Sequence, residues 1–340
     1  MTSRMLAEAR EAPAAVARAL AANSEAIATL AASLRADPPG GVLTVARGSS
    51  DHAAHYMGYL AMARLGRLVT SLPMSLITLY STRLPGQGLL SLAFSQSGQS
   101  PDLVAPQRYL RASGARTVAL VNDSQSPLAQ ASRWVLPLHA GPETSVAATK
   151  SYIAQLVASA RLVAAWQGDP TLAQAIERLP GDLHTAAWLD WSPMVQALAG
   201  ADRLFVIGRG LGLAIAMEAA LKFKETCGIQ AEAFSGAEVR HGPMALVDDG
   251  YPLLVFAPRG PAQADLLTLA EDMRARGAHV LLAAPAGTPG AQLPLAPAAT
   301  DDLDPITAIQ SFYPAVEALA RSRGRDPDAP RHLSKVTRTH

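Results

Sequence analysis

A short loop rich in hydroxyl groups has the residue types needed to hold an anion. SQSGQS, residues 95–100, follows the apolar run LSLAF, and Pro101 and Asp102 come next, so a helix should begin here. The hydroxyl groups of Ser95, Ser97 and Ser100 and the amide of Gln96 can donate hydrogen bonds to an anion. Helix N-termini also attract anions through their free N–H groups. The pattern predicts a phosphate-binding loop provided that Asp102 points away; an ordinary capped turn is the alternative.

A second set of groups, within residues 217–246, has the types needed for acid–base chemistry. Lys222 and Glu225 are three residues apart, so a helix would place them on one face. The glycine-containing stretch SGAEVRHGP follows and carries His241. A carboxylate, an ammonium group and an imidazole near a phosphate site can move protons on a bound substrate. A surface ion pair between Lys222 and Glu225 is the alternative interpretation.

The elements that position these groups come from an internal repeat. VLTVARGSS at 42–50 is similar to LFVIGRGLG at 204–212, an apolar strand followed by Arg-Gly. Three matches occur at separations of 162 or 163 residues: Arg47 with Arg209, Phe94 with Phe256, and residues 111–120 with residues 274–283. The chain is therefore predicted to contain two copies of one unit.

Each copy alternates apolar strands with amphipathic helices. In the first copy we predict strands at 42–46, 89–94, 117–121 and 134–137 and helices at 51–65, 101–113 and 146–167. In the second copy we predict strands at 203–207, 252–256 and 279–284 and helices at 211–227, 262–276 and 305–323. Apolar strands with intervening helices predict an α/β fold of two doubly wound parallel sheets. Ligands bind at the carboxyl ends of such strands, which in the first copy are followed by loops 47–52, 95–101 and 141–149.

Composition limits the classes of partner. The chain has 340 residues, of which 49% are hydrophobic and 17% charged, as in a globular protein of two domains. A net charge of +1 gives no general attraction for nucleic acid or anionic membranes, so we expect neither as a partner. Cys227 is the only cysteine, which excludes an internal disulfide and suits a reducing compartment. Because no signal peptide or membrane span is evident, we expect a cytoplasmic protein. The histidines show no metal-binding spacing, and no cofactor is expected.

Five motifs in order resemble a known family. SQSGQS, ETSVAATKSY, EAALKFKET, AEAFSGAEVRHGPMAL and PRHLSK are similar to the sugar isomerase (SIS) domains of glucosamine-6-phosphate synthase, and the likeness runs from about residue 25 to 336. The resemblance implies two SIS domains related by duplication. The predicted boundaries are an N-terminal helical segment at 1–35, a first SIS domain at 36–167, a helical connection at 168–200, a second SIS domain at 201–325 and a C-terminal tail at 326–340.

The resemblance also implies which residues bind the substrate. The phosphate of a sugar would be held by Ser95, Gln96, Ser97 and Ser100. Ser50 and the backbone of Val146 would contact the sugar. Ala148 stands where the synthase has a serine that lines the sugar, so the choice of substrate is left open.

Four further residues take catalytic roles by the same resemblance. Glu225 would be the base that moves a proton between C1 and C2, and Lys222 would assist it from the same helix. His241 would open the sugar ring from a neighbouring subunit, which implies a homodimer. Lys335 would engage the open-chain sugar, through an imine or as an ammonium group. The end of the chain, KVTRTH, departs from the family pattern.

The synthase also carries a glutaminase domain with a cysteine directly after the initiating methionine, whereas Thr2 and Ser3 follow Met1 here. We therefore expect no glutaminase activity, and the chain resembles the standalone SIS-type deaminases that convert glucosamine 6-phosphate and water to fructose 6-phosphate and ammonia. Two alternative reactions are deglycation of a fructosamine 6-phosphate and ammonia-dependent synthesis of glucosamine 6-phosphate. A non-enzymatic sugar-phosphate sensor is the third alternative, but residues 1–40 have too few helical turns and too little basic charge for a DNA-binding segment.

Overall fold

The computed structural model describes residues 2–335 and divides into two compact units. The amino-terminal unit comprises residues 14–143 and 150–177 with Ser334 and Lys335. The carboxy-terminal unit comprises residues 2–13, 144–149 and 178–333. Both units are discontinuous in sequence, whereas the domains predicted above are contiguous. Residues 336–340 of the predicted tail lie outside the described residues.

The first half of the chain forms a sheet surrounded by helices. The helices up to residue 177 are α1 (Arg4–Ala22), α2 (Ser24–Ala36), α3 (Ser49–Leu65), α4 (Ser75–Thr78), α5 (Pro101–Ala112), α6 (Pro127–Ala131), α7 (Lys150–Gln167) and α8 (Pro170–Glu177). The strands are β1 (Gly41–Val45), β2 (Val69–Ser71), β3 (Leu89–Ser95), β4 (Arg116–Val121) and β5 (Trp134–Pro137). They pair in parallel in the order β2-β1-β3-β4-β5.

The second half repeats this arrangement. The helices are α9 (Leu179–Ala186), α10 (Ser192–Leu198), α11 (Gly212–Lys222), α12 (Gln263–Ala275) and α13 (Asp304–Ser322). The strands are β6 (Arg203–Gly208), β7 (Gln230–Ser235), β8 (Pro252–Phe256), β9 (His279–Pro285) and β10 (Leu293–Leu295). A π-helical turn covers Phe223–Cys227, and 3₁₀ turns cover Glu238–His241, Pro243–Leu246 and Asp301–Leu303. The strands pair in parallel in the order β10-β9-β8-β6-β7.

The two sheets have one topology. Numbered within its own copy, each of these five-stranded sheets in residues 2–335 has the order 2-1-3-4-5, read from opposite edges. One ion pair is also repeated: Arg47 pairs with Asp102 in the first copy, and Arg209 pairs with Asp265 in the second. The predicted α/β fold, two doubly wound parallel sheets related by duplication, is confirmed.

Each sheet is apolar because helices cover it. The amino-terminal unit has a buried cluster in which three neighbouring strands contribute Val45, Ala93 and Val121. Helix α5 contributes Leu103 and Leu110 to the same cluster. Full burial of such a side chain stabilises the fold by about 1.5–3 kcal/mol. The corresponding cluster of the carboxy-terminal unit joins strand residues to α12: Phe205, Leu253, Val255, Leu282, Leu266, Leu269 and Met273.

The structure revises three local predictions. The helix predicted at 146–167 begins at Lys150, and residues 144–149 form neither helix nor strand. The helix predicted at 211–227 changes at Phe223 into the π-helical turn, which Gly228 ends with a left-handed backbone at φ 62°. Within the predicted segment 1–35 the chain forms two helices, because Asn23 interrupts them and its side-chain amide donates a hydrogen bond to the Pro137 carbonyl at 2.6 Å.

Candidate functional site

The hydroxyl-rich loop connects β3 to α5 in the amino-terminal unit. Ser95 is buried at the end of β3, and its Oγ accepts a hydrogen bond from the Gly98 N–H at 3.0 Å. Ser97 Oγ accepts one from the Gln99 N–H at 3.3 Å. Both hydroxyl oxygens therefore act as acceptors within the loop, which leaves their O–H groups able to donate to an anion. Ser100 is the N-cap of α5 and Pro101 its first residue, as predicted.

This loop lies where ligands bind in doubly wound sheets. In the order 2-1-3-4-5 the strand order reverses between β1 and β3, so the loops that follow these two strands border the switch point. Ser50 lies in the first turn of α3, after β1, and its Oγ accepts a hydrogen bond from Gln155 Nε2 at 3.0 Å. Ser50 and the serine loop thus follow the two strands at this crevice.

Asp102, which would repel a phosphate, has a cation beside it. Its buried carboxylate accepts a hydrogen bond from Arg47 Nε at 3.1 Å, while the Arg47 side chain remains 59% exposed. Arg47 thus supplies a positive charge next to the carboxylate in the first turn of α5. The N-terminus of α5 therefore keeps its favourable field for an anion.

A second buried carboxylate in this unit holds the predicted tail lysine. Glu143 accepts hydrogen bonds from the Ser151 N–H at 3.1 Å and the Ser151 hydroxyl at 2.5 Å. Lys335 Nζ lies 3.3 Å from Glu143 Oε2, and its side chain is 23% exposed. Lys335 is thus ion-paired in this structure, a contact that the sequence analysis did not predict.

In the carboxy-terminal unit, Lys222 lies between two carboxylates. Its Nζ is 2.6 Å from Glu225 Oε2 and 3.1 Å from Glu218 Oε1, and both Lys222 and Glu218 are fully buried. Tyr313 of α13 donates a hydrogen bond to Glu218 Oε1 at 3.3 Å. Burial alone lowers the pKa of Lys222, but the two carboxylates outweigh it and raise this pKa well above the ordinary 10.5. Lys222 is therefore a fixed ammonium group, and the alternative of a solvent-exposed ion pair is wrong.

Glu225 lies in the π-helical turn and is 17% exposed. Turns of this kind are frequent at functional sites, because the extra residue re-aims the side chains that follow it. Cys227, in the same turn, is buried, and burial raises the pKa of its thiol to about 11. The arrangement leaves Glu225 as the accessible carboxylate beside a buried ammonium group.

The other predicted site residues of this unit lie in loops and turns. His241 ends the 3₁₀ turn Glu238–His241 and is exposed. Val146 and Ala148 are partly buried in the irregular segment 144–149. The structure brings Lys222 and Glu225 into contact, whereas within residues 2–335 His241 forms no hydrogen bond or ion pair with either of them.

In the second copy, the loop equivalent to the serine loop has a structural role. Arg259, in the loop after β8, donates to Asp304 from Nε at 2.8 Å and from Nη2 at 2.7 Å. Its Nη2 also donates to the Ala298 carbonyl at 2.7 Å. The Arg259 guanidinium therefore fixes this loop to the start of α13. Unlike the serine loop, it does not present hydroxyl groups to a ligand.

Sequence reasoning missed three residues of these clusters. Glu218 precedes Lys222 by four residues, a helical spacing that was available as a signal. Glu143 is the first residue of the quoted motif ETSVAATKSY, but its partner Lys335 is remote in sequence. Gln155 carries no local signal at all, because its partner Ser50 is far away in the chain.

Residues 2–335 contain no cluster of three or more potential metal-ligating His, Cys, Asp or Glu side chains. No helix in this part of the chain is both long and apolar enough to cross a membrane.

The fold and these side chains define a duplicated α/β protein with a hydroxyl-lined loop in one copy and a buried ammonium–carboxylate group in the other. The chain belongs to the SIS domain family, whose model matches residues 39–165 and 197–289.

Among its relatives is the glutamine–fructose-6-phosphate aminotransferase (isomerizing) of Symbiobacterium thermophilum, 35% identical over 311 residues that cover 86% of this chain and 51% of that protein. The chain thus spans about half the length of the curated relatives that it matches. A solved structure described as a phosphosugar isomerase of Silicibacter pomeroyi DSS-3 is 45% identical, with a TM-score of 0.91 and coverage of 96% of this chain and 100% of that one. A glucosamine-6-phosphate deaminase of Thermotoga maritima has a TM-score of 0.77 at 22% identity over 99% of this chain and 100% of that one, which shows a shared fold.

Proposed function

We propose that the protein is an amino-sugar phosphate deaminase that converts glucosamine 6-phosphate and water to fructose 6-phosphate and ammonia. The observation that carries the proposal is the contact between Glu225 and Lys222, 2.6 Å long, with the lysine fully buried. A carboxylate beside a fixed ammonium group is the pair needed to move a proton next to a carbonyl. The named relatives, a fructose-6-phosphate aminotransferase and a phosphosugar isomerase, support a phosphorylated sugar as the substrate.

The serine loop is proposed to hold the phosphate. The hydroxyls of Ser95 and Ser97 are oriented by backbone N–H groups, and the N-terminus of α5 adds its field. Gln96 and Ser100 complete the predicted set, and Ser50 would contact the sugar. Because these donors are uncharged, they can bind the phosphate dianion of the substrate and still allow the phosphorylated product to dissociate.

The chemical steps then follow from the substrate. His241 assists ring opening, which exposes the aldehyde at C1. Glu225 takes the proton from C2 and returns it to C1, while the oxygen at C1 gains a proton and the amine at C2 loses one, so the 2-amino aldehyde becomes a ketimine at C2 with a hydroxyl group at C1. Water adds to this imine, and its collapse releases ammonia and leaves the ketone of fructose 6-phosphate. The ammonium group of Lys222, 2.6 Å from Glu225 Oε2, holds the carboxylate that moves the proton.

Lys335 has its own task in the proposal. Its ion pair with Glu143 holds the tail lysine in the absence of substrate. On binding, Lys335 either passes its proton on and forms an imine with the open chain or remains an ammonium group beside it. In both cases Glu143 is the carboxylate from which Lys335 must be released.

The exposed position of His241 supports a further part of the proposal, that a second copy of the chain completes each site. If so, mixing His241→Ala with Glu225→Gln protein restores part of the activity in hybrid dimers. Absence of activity in hybrids whose formation has been verified would place both groups in the site of one subunit.

The reaction is tested by measuring ammonia and ketose phosphate over a small panel of substrates. We expect equal amounts of ammonia and fructose 6-phosphate from glucosamine 6-phosphate, and at least a hundredfold lower kcat/KM with glucosamine, which lacks the phosphate. No ammonia from any amino-sugar phosphate would contradict the proposal. Release of the amine from a fructosamine 6-phosphate would favour the deglycase, and net consumption of ammonia with fructose 6-phosphate would favour synthesis.

A further inference from the structure

A buried carboxylate of the first helix holds the segment that carries Val146 and Ala148. Glu8, in α1, is 7% exposed. Its Oε1 accepts hydrogen bonds from the Thr144 N–H at 2.5 Å and the Thr144 hydroxyl at 3.2 Å. The Ser145 N–H donates to the same carboxylate, at 3.2 Å from Oε2 and 3.3 Å from Oε1. The carboxylate of Glu8 thus receives hydrogen bonds from two backbone N–H groups and one hydroxyl group of residues 144 and 145.

These bonds set the path of residues 144–149. The segment forms neither helix nor strand, so its backbone N–H groups need partners from elsewhere. Hydrogen bonds to an ionised acceptor are about twice as strong as neutral ones. Glu8 accepts hydrogen bonds from two successive N–H groups directly before Val146. These bonds limit where the backbone of Val146 can lie.

We propose that Glu8 is a positioning residue that places the sugar-binding backbone of residues 144–149. The inference rests on the proposed function, in which the Val146 backbone contacts the sugar and the serine loop holds the phosphate. It follows that loss of the Glu8 carboxylate weakens the affinity for the sugar and leaves the affinity for phosphate unchanged.

A carboxylate is required for this geometry. Glutamine has one acceptor oxygen; with that oxygen in place of Oε1, its NH₂ group would stand in place of Oε2 and face the Ser145 N–H, so Glu8→Gln loses the 3.2 Å bond and sets two donors against each other. Aspartate keeps both oxygens but is one methylene shorter and does not reach. Thr144→Val removes only the hydroxyl bond at 3.2 Å and leaves both backbone bonds in place.

The experiment compares two ligands by calorimetry. The first is 2-amino-2-deoxyglucitol 6-phosphate, an open-chain alcohol that binds without reacting, and the second is inorganic phosphate. For Glu8→Gln we expect about tenfold weaker binding of the alditol phosphate, about 1.4 kcal/mol, and less than a twofold change for phosphate. Glu25→Gln, which neutralises an exposed carboxylate in α2, is the control and should leave both affinities unchanged. Thr144→Val should show a smaller loss in the same direction.

Hydrogen exchange shows whether the segment itself has changed. The amides of Thr144 and Ser145 should exchange faster in Glu8→Gln than in the wild type, with unchanged exchange in β3 and β6. If Glu8→Gln does not fold, Thr144→Val supplies the same two-ligand comparison.

Three results would overturn the inference. Unchanged affinity for the alditol phosphate despite faster exchange would show that the segment does not contact the sugar. An equal loss for both ligands would show a general structural role. If the wild-type protein bound the alditol phosphate no more tightly than inorganic phosphate, the proposed function itself would be refuted, and with it the role of Glu8. The first two results would refute only the role of Glu8.

Discussion

At the scale of single residues, the electrostatics of Lys222 decide how the carboxy-terminal unit can act. An ammonium group with no exposed surface is tolerated only because Glu218 and Glu225 lie 3.1 and 2.6 Å away. Two carboxylates and one cation leave one negative charge, and Glu225 is the partly exposed member. In the proposed reaction Glu225 takes a proton from the substrate, and Lys222 and Glu218 then remain as a neutral pair. Glu218 thus allows the charge of Glu225 to change without leaving a buried cation unpaired.

Lys222→Met should therefore be far more destabilising than a similar change at the neighbouring Lys224. The substitution leaves two carboxylates without their cation, and breaking a buried pair costs about 3–5 kcal/mol. Lys224 is exposed, so Lys224→Met should change the free energy of unfolding by less than about 0.5 kcal/mol. Urea unfolding of both variants provides the measurement. The double variant Glu218→Gln/Lys222→Met should recover more than half of the loss, because one of the two unpaired charges is gone.

The sign of the pH dependence follows from the raised pKa of Lys222. Because folding raises the pKa of Lys222, its positive charge stabilises the folded state fully at every pH below the ordinary pKa of 10.5. This stabilisation is lost only as the pH rises through the raised pKa. Measurements at neutral pH therefore report the full effect. Equal stability of Lys222→Met and Lys224→Met would contradict the assignment of a buried, charge-compensated group.

Local spacing was informative at this scale only for partners close in sequence. The contact of Lys222 with Glu225 was predictable from their separation of three residues, but full burial was not, and a surface pair was an equally reasonable expectation. Contacts between remote residues, such as Lys335 with Glu143, depend on how the chain folds back and leave no local pattern.

At the scale of elements, the turn between β3 and α5 depends on Gly98. Its φ is 64°, and a Cβ added there would lie 2.2 Å from Ser126 Oγ and 2.6 Å from Ser126 Cβ. Ser126 is itself fixed as the N-cap of α6, where its hydroxyl accepts a hydrogen bond from the Ala129 N–H at 3.3 Å. The serine loop is therefore packed against a neighbouring helix start and has little room to move.

Gly98→Ala should displace this loop, and Gly66→Ala is the matched control. Gly66 has nearly the same φ, 62°, but nothing lies within 4 Å of the position its Cβ would take. Both substitutions incur the left-handed backbone penalty of about 1–2 kcal/mol, and Gly98→Ala adds an overpacking penalty of about 1–3 kcal/mol.

Thermal unfolding and phosphate titration of these two glycine variants provide the measurements. Gly98→Ala should have the lower Tm and at least tenfold weaker phosphate binding, whereas Gly66→Ala should bind phosphate like the wild type. Equal phosphate affinity in both variants would contradict the role of this turn.

The strands that sequence reasoning missed are all edge strands. β2, β7 and β10 each lie at an edge of a sheet, whereas the predicted strands include all the central ones. Central parallel strands are buried on both faces and appear as continuous apolar runs. β2 and β10 have three residues each, and β7, QAEAFS, carries exposed polar side chains. Their strand character comes from pairing with a neighbour rather than from their own composition.

At the scale of the whole molecule, duplication has been followed by specialisation. The two sheets share the order 2-1-3-4-5 and the Arg47–Asp102 type of ion pair. The first copy keeps hydroxyl groups after its third strand, whereas the second copy ties the equivalent loop down with Arg259 and Asp304. The second copy carries Lys222 and Glu225 instead. The proposed reaction assigns phosphate binding to one copy and proton transfer to the other, and neither copy alone has both sets of groups.

The most direct test of this account is the rate of ammonia release from saturating glucosamine 6-phosphate by Glu225→Gln, with Glu271→Gln, an exposed carboxylate of α12, as the control. The amide keeps the shape of the side chain but cannot take the C2 proton, so we expect the rate to fall by about 10²–10⁴-fold. Calorimetric affinity for the alditol phosphate should stay within about threefold of the wild type, and Glu271→Gln should retain full activity. Ammonia release by Glu225→Gln at a rate close to that of the wild type would contradict the account.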